Sequence, residues 1–387
     1  MKRLAVFLDG TWNDKGSHTN VHRLSELVAP RGTDGIAQEL RYDPGVGTKW
    51  HNKLSGGTLG RGLSDNVRQA YSWLLKRYED GDHVFIFGFS RGAYTARSLG
   101  GLIAGCGLRR NGAPFDVDYL YDRYQKRKDD AVPIYKLQFI KDSGERKLTD
   151  EESRLLEFSR RIDIHMMGVW DTVGALGVPW TGMPVIGRDQ FYFHNPNLSK
   201  IYKHAYQALA VDEHRGAYKP TLWTLFKPEI AGKPAEPPAA PEMPPVNDVE
   251  QRWFIGAHSN VGGGYENDQL SNLPLIWMQT KAEALGLRFT QMVGPTGKEF
   301  ETAPVDSYGK FLFHAYQVLT LGRRYYRPIG AKVKKVKKGW SYPVNETIDS
   351  SVFRRFQAVE KYRPKNLEEW AKRKGVNLTS ISGDGEA

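Results

Sequence analysis

Four apolar residues, Val84-Phe85-Ile86-Phe87, run straight into Gly88-Phe89-Ser90-Arg91-Gly92, and a helix-forming stretch, Ala93-Tyr94-Thr95-Ala96-Arg97, follows at once. A short apolar run bounded by glycine reads as a buried strand. A serine with glycines two residues away on each side suits a sharp strand-to-helix turn, where the serine sits strained and exposed and larger flanking residues would clash. The five-residue pattern alone is a weak signal; the strand before it and the helix after it give the context such a turn needs. The bland alternative is a glycine-rich turn with an incidental serine. Either way the chain is committed to α/β architecture, with helices packed on a strand layer.

Other segments repeat the theme. Leu4 to Leu8 is an apolar run that ends in Asp9-Gly10-Thr11-Trp12-Asn13, a buried strand delivering a polar turn where open α/β sheets place their sites. The alternative for Asp9 to Asn13 is an Asx-type turn or helix cap. Val67, Tyr71, Leu74 and Leu75 follow helical spacing between Leu63 and Tyr78. Ile162 to Val169 forms a further strand ending at Trp170-Asp171-Thr172. The charged, aromatic segment 114–161 is expected to be a cap or insertion outside the sheet, and 228–250, proline-rich from Pro228 to Pro245, an extended exposed loop. Gly383 to Ala387 reads as a frayed end. The 387 residues fit one elaborated domain, 1–387, with a mostly parallel sheet, helices on both faces and inserted cap segments.

A serine hydroxyl is a weak nucleophile until a histidine takes its proton, and that imidazole needs a carboxylate to fix its tautomer. In α/β-hydrolases the chain order is serine, acid, histidine. His258 follows an apolar strand and opens a glycine-rich loop through Gly262-Gly263-Gly264, which would let it approach Ser90. Its rivals are His214, in a stretch Ala210 to Arg215 that reads as helical and charged, and His165, inside a strand. For the acid, Asp171 stands at a strand end between Ser90 and His258, and Asp212 is the alternative. The backbone N–H of Arg91, at a helix N-terminus, is one expected oxyanion donor, and the Gly10-Thr11 turn supplies the other. No cofactor and no metal is required, although Asp9, Asp43 and Asp171 could instead cluster around a hard cation.

Composition narrows the remaining classes. A net charge of +11 would attract anionic partners, and five lysines, Lys332, Lys334, Lys335, Lys337 and Lys338, concentrate part of it just before Trp340. That cluster suits either a solvated basic edge or contact with an anionic membrane surface. The charge alone leaves nucleic-acid binding as a rival, but no recognition module or zinc-ligand spacing supports it, and none is expected. The single cysteine, Cys106, excludes an internal disulfide and reads as a small buried residue. Met1-Lys2-Arg3 before Leu4 opens like a signal peptide, but Asp9 ends the apolar run short of the ~7–15 residues that such a segment needs. Cytoplasmic synthesis without classical export is the expectation.

Taken together, Leu8-Asp9-Gly10-Thr11-Trp12-Asn13, Tyr42-Asp43-Pro44-Gly45-Val46-Gly47, Gly88 to Ala93, Gly168-Val169-Trp170-Asp171-Thr172-Val173 and His258 to Tyr265 resemble the bacterial and fungal α/β-hydrolase domain family that includes the catalytic part of type VI secretion phospholipase effectors. Ala208 to Glu213 and Val344 to Asp349 look similar too. The resemblance implies Ser90 as nucleophile, Asp171 as acid and His258 as base, a lipase or phospholipase activity on a lipid ester, and delivery by a type VI secretion system. A non-lipid esterase or amidase, and a non-catalytic binding protein on a hydrolase scaffold, stay open beside it.

Overall fold

The computed structural model describes residues 1–10, 18–45, 56–126, 131–174, 198–229, 237–266, 268–297, 299, 302–310, 320–330, 332–336 and 339–387, with backbone alone for 56–61 and 310. Its centre is a mostly parallel sheet. Strand β1 (Arg3–Leu8) lies between β2 (Gln38–Asp43) and β3 (His83–Phe89), and β6 (Ile164–Trp170), β7 (Tyr202–Ala210), β9 (Val249–Phe254) and β12 (Glu346–Ile348) extend it on the β3 side. Among the described residues the order is β13-β12-β9-β7-β6-β3-β1-β2, eight strands in all. Only β13 (Gly385–Glu386) runs antiparallel to its neighbour. Two smaller sheets flank it. One joins β4 (Leu108–Arg109) to β5 (Ser159–Arg160); the other sets β11 (Gly339–Pro343) between β8 (Thr224–Pro228) and β10 (Lys334–Val336).

Parallel strands buried on both faces need apolar residues at every position, and β1 supplies them. Leu4, Val6 and Leu8 point into a cluster with α2 (Gly56–Arg77) and α3 (Arg91–Cys106) through Val67, Tyr71, Leu99 and Ile103. Ala5 and Phe7 point the other way, against Val21 and Leu24 of α1 (Asn20–Leu27) and Leu275 and Met278 of α8 (Asn272–Ala284). A third cluster packs Trp253 and Ile348 of the far strands under Phe353 of α10 (Ser350–Ala358) and Trp370 of α11 (Lys365–Lys374). Cys106 is buried, and its Sγ donates to Leu120 O at 3.6 Å.

The excursion between β4 and β5 is helical: α4 (Val117–Lys126), α5 (Ile134–Ser143) and α6 (Asp150–Phe158) bury Leu120, Tyr124, Leu137 and Leu155 against the α3 side of the sheet. Residues 237–245 of the proline-rich stretch have no regular structure and are tied back where Asn345 Nδ2 donates to Pro244 O at 2.7 Å. Of the basic cluster, Lys334 and Lys335 lie on the edge strand β10, and Lys335 Nζ is 3.1 Å from Glu229 Oε1; Lys337 and Lys338 fall outside the described residues. Among the described residues no helix is long and apolar enough to cross a membrane.

Two expectations are corrected. Ala210 to Arg215 is not helical: β7 ends at Ala210, and a turn follows in which Asp212 N donates to Gly256 O at 3.0 Å. The charges that suggested a solvated helix are paired inside the protein instead. The C-terminus is not frayed, because Gly385 and Glu386 pair with Ile348 and Thr347, and Ala387 N donates to Glu346 O at 2.9 Å.

The topology prepares one edge for chemistry. From β1 the chain crosses to β2 on one side and then returns past β1 to β3 on the other, so the connections diverge at the β1–β3 boundary. At such a switch point the C-terminal strand ends leave a crevice between loops. Parallel register aligns Leu8 with Gly88, Phe89 with Trp170 and Ala210 with Phe254, so the residues just beyond those strands emerge side by side.

Candidate active site

Ser90 occupies the turn between β3 and α3 with φ 56° and ψ −119°. A positive φ is unfavourable for a residue with a Cβ, and it persists only where the surroundings dictate it. Here Ser90 N donates to Trp170 O at 3.0 Å, and Tyr94 N donates to Ser90 O at 3.2 Å. The flanking glycines make the turn fit. A Cβ on Gly88 would sit 2.5 Å from Gly92 O and 2.8 Å from Ala93 Cα, and one on Gly92 would press into the carbonyls of Leu8 and Asp9. The backbone N–H of Arg91 begins the helix directly after the serine.

His258 opens α7 (His258–Gly262), a single short helix where a loop was expected; its start is fixed by Asn260 Oδ1, which accepts from Ala257 N at 3.0 Å. The imidazole bridges two groups, with Nδ1 2.5 Å from Asp171 Oδ2 and Nε2 2.8 Å from Ser90 Oγ. An ionised carboxylate can only accept, so the proton belongs on Nδ1, and Nε2 is left to accept from the serine hydroxyl. Phe89 lies tilted against the ring at 4.7 Å between centroids, and Tyr218 meets it edge-on at 5.0 Å. Burial pushes the imidazole below its ordinary value, against the opposing pull of Asp171.

Asp171 is fully buried at the end of β6 with φ 40°. Its Oδ1 accepts from Ala210 N at 3.2 Å. Burial alone would raise its carboxyl, yet the Arg327 guanidinium and the His258 ring hold it well below the usual carboxylate range. Arg327 escaped the sequence reading, and so did Glu213. The Glu213 carboxylate accepts from His258 N at 3.2 Å and Ser307 Oγ at 3.0 Å and takes both Nε and Nη2 of Arg215 at 2.8 Å. Arg215 in turn lies 3.6 Å over the Tyr218 ring. Glu213 and Arg215 stand two residues apart in the sequence, but nothing there distinguishes a buried pair from two solvated charges.

The rival residues lie elsewhere. Asp212 accepts from Gly256 N at 2.7 Å and Tyr362 OH at 3.0 Å, and burial pushes its carboxyl up. His214 Nδ1 faces Tyr325 O at 3.3 Å, and His165 stacks on His83 at 4.0 Å with burial lowering it to about 4. At the β1 end, Asp9 Oδ1 accepts from Gly10 N at 2.7 Å, and Oδ2 accepts from Tyr42 OH at 2.9 Å and from Thr19 Oγ1. Thr11 lies outside the described residues. Asp43 accepts from Asn66 Nδ2 at 3.1 Å, so Asp9, Asp43 and Asp171 each serve separate partners. Among the described residues no three His, Cys, Asp or Glu side chains are placed to hold a metal ion.

Comparison with known proteins bears on the family of the chain. Residues 2–281 match the family model described as type VI secretion system phospholipase effector Tle1-like, catalytic domain. An uncharacterized protein of Saccharomyces cerevisiae is 28% identical over 240 residues, 58% of this chain, and the chain spans only 33% of that relative's length. Among solved structures, an uncharacterized protein from Pseudomonas aeruginosa matches 82% of this chain and 50% of its own at 18% identity and a TM-score of 0.41. The Tle1 effector bound to the VgrG spike of the type VI secretion system matches 69% of this chain and 51% of its own at 16% identity and a TM-score of 0.34. With the family model spanning most of its length, the chain belongs to the Tle1-like catalytic-domain family of type VI secretion phospholipase effectors.

Proposed function

We propose that the chain is a serine hydrolase of the α/β-hydrolase type that cleaves carboxylic esters of lipids, with Ser90 as nucleophile, His258 as base and Asp171 as the orienting acid. The observation that carries the reading is the unbroken hydrogen-bonded path from Ser90 Oγ through the His258 ring to Asp171, set on a serine held at φ 56°. His258 Nε2 takes the hydroxyl proton as Oγ adds to the ester carbonyl, and the imidazolium returns that proton to the departing alcohol, which leaves an acyl group on Ser90. Water, deprotonated by the same nitrogen, then releases the fatty acid. Negative charge on the carbonyl oxygen falls to the Arg91 N–H at the start of α3, where the helix dipole favours an anion. The Gly10 N–H is taken by Asp9 Oδ1, which removes Gly10 from the donors expected at this turn. The lipid substrate, and delivery by a type VI secretion system, rest on family membership.

The test is hydrolysis of a chain-length series of p-nitrophenyl esters beside a phospholipid, for wild type and Ser90→Ala. Serine-dependent, chelator-insensitive release of fatty acid from the phospholipid is the expected result. Activity confined to short esters would move the substrate away from lipids, and wild-type rates in Ser90→Ala would end the serine mechanism altogether.

A further inference from the structure

Arg327 is completely enclosed, and two of the four bonds from its terminal nitrogens grip the acid of the site. Nη1 donates to Asp171 Oδ1 at 2.6 Å and to Ala210 O at 3.1 Å; Nη2 donates to Asp171 Oδ2 at 2.9 Å and to Tyr218 O at 2.6 Å. Both carboxylate oxygens are therefore gripped by a planar fork, which fixes the plane of the carboxyl group as well as its charge. Orienting a histidine requires only an acceptor, and a buried guanidinium is costly unless its charge is matched. The arginine backbone is itself pinned: Asn366 Nδ2, from α11, donates to Arg327 O at 3.1 Å and to Val211 O at 3.0 Å. Arg327 and Asn366 both lie beyond residues 2–281, the part that matches the family model.

Building on the proposed serine mechanism, we infer that Arg327 is a positioning residue: its fork locks the Asp171 carboxylate toward His258 Nδ1, and its charge offsets that carboxylate so that His258 stays a neutral base to lower pH. Among the described residues, the other charged or titratable groups around the pair are Glu213 and Arg215 from the turn after β7, Tyr218 beside it, Arg91 at the start of α3, Tyr265 after α7 and Tyr325 near Arg327 itself. Glu213 and Arg215 pair with each other through two bonds of 2.8 Å, so they largely cancel, and Arg327 remains the cation in direct contact with Asp171. The direction of its effect is unambiguous. Removing a positive charge beside Asp171 raises the proton affinity of the Asp171–His258 pair, so the acid limb of the rate profile moves to higher pH.

The experiment measures kcat, KM and the rate of fluorophosphonate labelling against pH for the full chain as wild type, Arg327→Gln and Arg327→Lys. Arg327→Gln is expected to lose kcat at least about tenfold at nearly constant KM and to shift its acid limb upward. Arg327→Lys keeps the charge without the fork, so its limb returns toward wild type while kcat stays depressed. A folded Arg327→Gln with an unmoved limb overturns the inference, whatever its kcat. Should that variant not fold, Arg327→Lys decides: labelling at the wild-type rate overturns the inference, and slower labelling at unchanged KM upholds it. Wild-type activity in Ser90→Ala sinks the serine mechanism and this inference with it, whereas Ser90-dependent labelling that ignores position 327 sinks the inference alone.

Discussion

A methyl group added at Gly262 tests how tightly His258, the proposed base, is seated. Gly262 ends α7, four residues after His258, and its α-carbon rests directly on the Phe89 ring. The three atoms nearest a new Cβ would be Phe89 Cε2, Cδ2 and Cζ, all closer than carbon atoms approach without overlap. Carbon pairs prefer about 3.5–4.0 Å, so either α7 must lift or the ring must swing by more than about 1 Å. Phe89 is 2% exposed and the His258 ring lies against it, 4.7 Å away between centroids, so both routes press on the imidazole. Overpacking of this kind costs about 1–3 kcal/mol of stability, and a catalytic group misplaced by about 1 Å loses about 10²-fold in rate.

Gly262→Ala should therefore melt a few degrees lower and react with a fluorophosphonate about 10²-fold more slowly than wild type. Shrinking the obstacle supplies the control. Phe89→Leu in the same chain opens space for the methyl, and the double variant should label faster than Gly262→Ala alone, with a coupling energy of about 0.5–3 kcal/mol. Labelling of Gly262→Ala within about twofold of wild type would mean that the clash relaxes without moving His258, contrary to the ~10² expected. A double variant no faster than the single one would refute the route through Phe89.

Three further outcomes follow from buried contacts. Arg215 holds the Glu213 carboxyl at about 2 against burial, which alone would raise it; this depressed value gives stability that is complete above the unfolded carboxyl range and is lost as pH falls toward 2. Glu213→Gln should lower stability by about 3–5 kcal/mol at neutral pH by stranding Arg215, and its melting temperature should fall less between pH 7 and pH 3; parallel curves would refute this. Deleting Gly385–Ala387 removes the β13 pairing and the Ala387 N to Glu346 O bond, so the melting temperature should drop, by about 2–4 °C for each kcal/mol lost, and an unchanged melt would show that the pairing contributes nothing. His214→Ala should leave Ser90 labelling at the wild-type rate, because that ring faces Tyr325 O and Tyr326 rather than the serine; a large loss would reopen the choice of base.

What the sequence disclosed and what it hid divide along a physical line. Strands β1, β3 and β6 were legible because burial on both faces forces contiguous apolar residues, and a contiguous run survives in the sequence with no knowledge of its neighbours. That Ser90, Asp171 and His258 lie together was legible for a related reason: in a parallel sheet every strand delivers its last residue to the same edge, so three polar residues that each follow an apolar run are already candidates to meet. The turn after β7 failed the same logic. Asp212, Glu213 and Arg215 have the composition of a solvated helix, and what makes them a buried turn is Gly256, Tyr362, His258 and Ser307, contributed from 44 to 150 positions away. Gly385 and Glu386 are too few to carry a period of two, so their pairing left no pattern to read. Arg327 is the extreme case, 156 positions from Asp171 in a stretch of arginines and tyrosines that looks like ordinary basic surface. A salt bridge adds no periodicity to either segment it joins, so burial of both partners is the only property that separates it from two solvated charges. Residues that support a catalytic carboxylate through such pairs are thus the part of a site that sequence patterning is least able to reveal, even where the carboxylate itself is plain.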